Sequence, residues 1–223
     1  MDKLNIQSKI DHIVIGASSL EDGVGYVKSV LGVDIPYGGE HIKMGTHNHL
    51  MQLGNDAFLE VIAVNEKIAP PNRPRWYGLD DPYTRQCLEQ QPSLLTWVVN
   101  TGNINELMLH STYSLGKPEL ISRGNLSWNF GLPEDGRLLG SGILPYAIEW
   151  HTDVHPSKGM ADLGCSFQRL EIFHPYPIWL KTSLKSIGAL PLVKINELAA
   201  NETPYLSVEI DTPSGKVKLQ SAY

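Results

Sequence analysis

The sequence has 223 residues, 42% of them apolar and 19% charged, an ordinary globular mix on a chain long enough to bury a core. Lys and Arg number 18 against 24 Asp and Glu, a formal charge of −6 with no basic run, which argues against a nucleic-acid partner. Two cysteines, Cys87 and Cys165, make no disulfide framework, no apolar run reaches membrane-span length, and MDKLNIQSK has no apolar leader, so a soluble, cytoplasmic protein is expected.

Segment 10–17, IDHIVIGA, is predicted as a strand from its apolar, β-branched residues. Ser18 with Glu21 has the form of a capping box, and Leu20, Val24, Val27 and Leu31 follow at helical spacing up to a closing Gly32. Strand-like runs come next in IPYGGEHIKMG, HNHLMQLG and AFLEVIAV. Residues 65–92 form a connector in which Pro70, Pro71 and Pro74 favour extended chain and DPYTRQCLEQQ a short helix. The order then repeats: LLTWVV at 94–99 is a strand, Asn103 and Glu106 cap a helix carrying Leu107, Met108 and Leu115, and Gly116 ends it. PELISR, LSWNFG and LPYAIEWH follow as strands. After a second loop at 152–165, FQRLEIF at 167–173 opens a third copy, with Leu180, Leu184 and Ile187 ahead of Gly188, then PLVKI, YLSVEI and KVKLQS. His12, Thr96 and Gln168 each lie 20 residues before their glycine. The pattern predicts three βαβββ units, at about 9–64, 93–151 and 166–222.

Several polar residues stand out against this frame. Glu60 and Glu149 sit in the apolar runs FLEVIAV and YAIEW, where a carboxylate needs a cation or a donor unless its strand face meets water. Phe58, Glu60 and Ile62 share one face of their strand. His12 is either a hydrogen-bonded core histidine or a pocket residue. His41, Thr46 and Asn48, in GGEHIKMGTHN, form an expected substrate-orienting segment, with Gly38 and Gly39 leaving backbone amides free for an oxyanion. His47 and His49 are a possible chelating pair or a polar strand edge. Trp150 and His151 are expected at the substrate, His151 as a ligand or a general base if it faces inward with Glu149 and as a rim residue otherwise. Trp76, Trp97 and Trp128 fit a core, and Arg123 suits either a substrate carboxylate or solvent. There is no phosphate-cradling loop, no GxSxG elbow and no CxxC pair.

The order and spacing of KIDHIVIGASSLEDGVGYVKSVLG, GGEHIKMGTHNHLMQLG, AFLEVIAV and LPYAIEW resemble the glyoxalase-like domain family of the vicinal oxygen chelate superfamily. The likeness covers nearly all of the first two units; the third shares only the punctuation. It implies an α+β fold in which paired βαβββ units, residues 9–151, curve a mixed sheet into a partly closed cup, followed by a third βαβββ-like unit at 166–222. It also implies a divalent metal in the cup (Fe, Mn, Ni, Co or Zn) held by residues of the first and last strands, here His12, Glu60 and Glu149, with Glu60 or Glu149 as the catalytic proton shuttle. Thr96 departs from that ligand pattern. The expected function is a metal-assisted lyase or isomerase acting on a small oxygen-rich metabolite. A metal-free ligand-binding protein, a dioxygenase, or an interaction protein recruiting a partner through its third unit are the alternatives. The expected partner is a small-molecule substrate or ligand, with no nucleic acid and no membrane, and a homodimer is compatible with the sequence.

Overall fold

A computed structural model of the chain describes residues 6–221. The expectations on MDKLN at the start and on residue 222 lie outside that range. The first unit runs β1 (Lys9–Gly16), α1 (Leu20–Leu31), β2 (Tyr37–His41), β3 (Thr46–Gln52) and β4 (Phe58–Val64). Helix α1 is capped by Ser19, whose side chain accepts from the Asp22 amide, so the cap falls one residue later than the Ser18–Glu21 spacing suggested. Its C-terminus is closed by Gly32 at φ 74, the left-handed conformation that glycine adopts without a Cβ clash. The connector carries a single tight turn at Trp76–Gly78 and helix α2 (Pro82–Gln90), capped by Asp81.

The second unit runs β5 (Ser93–Asn100), α3 (Ile104–His110), β6 (Lys117–Arg123), β7 (Leu126–Leu132) and β8 (Tyr146–Trp150). Asn103 caps α3 by accepting from the Glu106 amide, but the helix stops at His110, so Leu115 and Gly116 belong to the turn before β6. In both units the first strand lies parallel to the last, β1 with β4 and β5 with β8. The two first strands pair antiparallel, which fuses the units into one eight-stranded sheet of order β2-β3-β4-β1-β5-β8-β7-β6. The sheet curves until its outer strands approach. The Lys43 ammonium, just after β2, pairs with Glu119 of β6, and Arg123 of β6 reaches Asn48 of β3. A nearly closed cup results.

The third unit keeps the order strand, helix, three strands in β9 (Ser166–His174), α4 (Pro177–Ser186), β10 (Val193–Glu197), β11 (Tyr205–Thr212) and β12 (Gly215–Gln220). Its pairing differs. β9 lies between β10, parallel, and β11, antiparallel, with β12 at the edge of a separate four-stranded sheet. Leu170, Ile172, Leu180, Leu184, Leu206 and Val208 join the buried residues of the cup in one continuous apolar core. Among the described residues, no helix is long and apolar enough to cross a membrane.

Candidate functional site

The site begins with an irregularity in β1. Strands β1 and β5 pair Ile10 with Val99 and then His12 with Val98, leaving Asp11 as an extra residue with nothing opposite it. Such a bulge changes where neighbouring side chains aim. Here it lets the fully buried Asp11 carboxylate meet the ring of the next residue, with Oδ1 2.5 Å from His12 Nδ1. The other oxygen accepts from Trp150 Nε1 at 2.8 Å and from Asn100 Nδ2 at 3.0 Å, and His155 Nε2 lies 3.0 Å away. Burial alone would push this carboxyl group up, but the hydrogen bonds and charges of His12 and His155 more than offset it and hold it well below the usual carboxylate range. Asp11 is thus an ionised acceptor that holds the His12 ring through its Nδ1–H and aims Nε2 into the chamber.

His12 Nε2 stands 3.4 Å from the Tyr77 hydroxyl and 3.6 Å from Glu60 Oε2. The imidazole stacks on Phe58, its cross-strand neighbour. The other oxygen of Glu60 accepts from Asn48 Nδ2 at 2.6 Å, and Asn48 Oδ1 accepts from Arg123 Nη1 at 3.1 Å. Tyr77 comes from the connector, on a left-handed backbone with φ 58, which costs a bulky residue about 1–3 kcal/mol. Burial and the charge of Glu60 push its phenol well above the usual range, so it is a hydrogen-bond donor throughout the working range of pH. His41 lies in the same wall with Nδ1 3.2 Å from Thr46 Oγ1. Burial, helped by the charges of Arg123, His12 and His47, pulls its pKa down to about 3, so it stays neutral.

These groups line a chamber whose remaining wall is largely aromatic: Phe58, Trp76, Trp128, Phe130 and Trp150. It leaves about 30 Å³ for the centres of water-sized molecules, room for a small head group. What the arrangement can do is move a proton: an ionised, buried carboxylate orients an imidazole toward a small chamber that also holds a second carboxylate and a neutral O–H donor.

A model of the glyoxalase-like domain matches residues 10–187. The chain belongs to the glyoxalase-like domain family. No curated protein matches it. Among solved structures, a hypothetical protein from Staphylococcus aureus is similar at 15% identity and a TM-score of 0.53, over 96% of this chain and 84% of its own. A mutant of 4-hydroxymandelate synthase from Streptomyces coelicolor is similar at 12% identity and a TM-score of 0.50, over 96% of this chain and 62% of that one. Methylmalonyl-CoA epimerase from Mycobacterium tuberculosis is similar at 17% identity and a TM-score of 0.41, over 67% of this chain and 92% of its own. The fold is that of the vicinal oxygen chelate superfamily.

Within this glyoxalase-like cup, His12, Glu60, His41, Asn48 and Trp150 line one chamber. Thr46 stands behind His41, fully buried. Glu149 does not reach the chamber. Strand side chains alternate, and on β8 Ile148 and Trp150 line the chamber, so Glu149 between them points to the other face and accepts from Asn129 Nδ2 at 3.1 Å. His151 shares that outer side, exposed, with Nδ1 3.3 Å from Ser127 Oγ. Thr96 is buried and donates to the Gly142 carbonyl, while Gln168 is exposed on the second sheet and bonds Ser166. His49 Nδ1 bonds the Ile35 carbonyl and His47 is half-buried; neither lines the chamber.

The donor set therefore does not fit a metal held by His12, Glu60 and Glu149. Two of the three converge, while Glu149 lies on the other face of its strand, bonded to Asn129. Among the described residues, no three His, Cys, Asp or Glu side chains are grouped to hold an ion. Asp11, Tyr77, Arg123 and His155 belong to the site although sequence reasoning gave them no place there, apart from Arg123 as one of two options.

Proposed function

We propose that this glyoxalase-like protein is a proton-transfer enzyme, an isomerase or lyase acting on a small oxygen-bearing carbon acid. The observation that supports it is the Asp11–His12 pair presenting Nε2 to the chamber beside Glu60 and Tyr77. His12 Nε2 takes the proton from a carbon next to a carbonyl. The C–H electron pair moves into a carbon–carbon double bond and the carbonyl oxygen becomes an enolate oxygen. The Tyr77 O–H donates to that oxygen. The imidazolium formed on His12 is stabilised by the Asp11 and Glu60 carboxylates, and it returns its proton to the same carbon or a neighbouring atom, or the enolate expels a leaving group. The aromatic wall favours a second reading, a protein that binds such a molecule without turnover.

Deuterium exchange in D2O, followed by proton NMR on a panel of 2-oxo acids and 1,2-dicarbonyl compounds, separates the two readings. Enzyme-dependent loss of the α-proton signal is expected from wild type. It should fall on the order of 10³-fold in His12→Gln and on the order of 10²-fold in Tyr77→Phe, with both variants folded. Binding without exchange favours the second reading. Exchange unchanged in His12→Gln contradicts the first.

A further inference from the structure

The small chamber adjoins a larger groove, and Arg123 lines both. The groove is lined by Pro36, Tyr37, Leu126, Val154, Pro156 and Met160, and it leaves about 510 Å³ for the centres of water-sized molecules, against about 30 Å³ inside. Leu50, Arg123 and Met160 belong to both walls. Apolar side chains predominate in the groove beside Arg123 and His155, and Tyr37 and Val154 in it are 56% and 64% exposed. Exposed apolar side chains on a concave wall next to a reactive chamber suit the body of a ligand.

Arg123 meets no carboxylate directly, and the negative charge acting on it, Glu60, faces it across Asn48. The arginine is half-buried, makes a hydrogen bond to Asn48 Oδ1, and has no ion-pair partner among the described residues. A guanidinium offers five N–H donors in a planar fork that matches a carboxylate. Its stem lies against β2, where a Cβ at Gly39 would come within 3.1 Å of Arg123 Cδ. A second donor is also idle. Trp76 lines the inner chamber, and its indole N–H is buried without a hydrogen-bond partner among the described residues. A buried unpaired donor is costly in a folded protein, so the Trp76 indole, with the half-buried guanidinium fork of Arg123 on the same wall, points to acceptor oxygens supplied from outside.

We propose that the substrate is an amphipathic carboxylate. Its head, carboxylate and reacting carbon together, enters the inner chamber with the carboxylate paired to Arg123 and an oxygen accepting from Trp76 Nε1. Its apolar body passes Leu50 and Met160 into the outer groove. This rests on the proton-transfer reading for where the reacting carbon sits, and on Arg123 and the groove for everything else.

Titration calorimetry on the full chain tests it, using 2-oxo acids from pyruvate to 2-oxodecanoate and the matching methyl ketones that lack the carboxylate. Affinity should rise about fourfold per added methylene, the effect of moving a CH2 out of water. Each acid should bind about 30-fold more tightly than its ketone, the worth of a hydrogen-bonded charge pair. Arg123→Gln should erase the preference for acid over ketone, and Arg123→Lys should retain part of it. Val154→Asp should flatten the length series. The proposal is overturned if no acid binds, if acid and ketone bind alike, if length has no effect, or if Arg123→Gln keeps the full preference. Tight, length-dependent acid binding without deuterium exchange would leave this inference standing and remove the proton-transfer reading. Exchange on ketones and acids alike, at equal affinity, would do the reverse.

Discussion

At the scale of single residues, the site is organised by which groups keep their protons. Asp11 stays ionised, Tyr77 stays protonated and His41 stays neutral, each because of its surroundings. His41 has a consequence for stability. Its pKa is about 3 in the folded protein against 6.5 in the unfolded chain, so between those values the unfolded state binds one more proton. Folding stability then falls as pH drops from about 6.5 toward 3, by about 1.4 kcal/mol per pH unit from this residue. Urea unfolding of wild type and His41→Gln at pH 6.5 and 5 should show the variant losing about 2 kcal/mol less over that interval. Equal losses would mean that His41 is protonated in the native state. His12 was legible in the sequence because its place in the first strand is set by the spacing to Gly32. Asp11 was not, because adjacent residues of a regular strand point to opposite faces, and only the bulge brings this pair together.

At the scale of elements, strand alternation decides which candidates enter the chamber. Glu149 and Trp150 are neighbours on a regular strand, so they cannot both face inward, and the register of β8 selects Trp150. Glu60 enters because Phe58 and Glu60 share the chamber face of β4. The helices were legible from caps and apolar spacing, except that α3 stops at His110 where Ser111 turns extended. Tyr77 was hidden because a proline-rich connector has no periodicity to reveal which side chain turns inward. Strand β2 supports the chamber by lacking a side chain. A Cβ at Gly38 would lie 2.5 Å from Asn48 Oδ1 and 2.6 Å from Leu50 Cγ. Gly38→Ala should therefore displace Asn48 from Glu60 and Arg123, at a stability cost of about 1–3 kcal/mol in urea unfolding together with weaker ligand binding. A variant as stable as wild type with unchanged binding would show that Asn48 is not held as described.

At the scale of the molecule, the repeated order of strand, helix and glycine was enough to read the curved mixed sheet, because two βαβββ units bury their apolar faces by pairing their first strands. Element order does not fix pairing, however, and the third unit uses the same order to build a separate sheet with its first strand inside. The same gap between pattern and geometry governs the metal. Matching strand positions suggested His12, Glu60 and Glu149 as ligands, whereas the cup brings together two of them and the register of β8 turns Glu149 to the other face. The central claim is that this chain's own residues move the proton. The most direct test is deuterium exchange by protein dialysed against EDTA, then supplied in turn with Mn, Fe, Co, Ni and Zn. The exchange rate should survive chelation and stay within about twofold on adding any of these ions, a change below about 0.5 kcal/mol in barrier height. Exchange that vanishes on chelation and returns with one of them would contradict it.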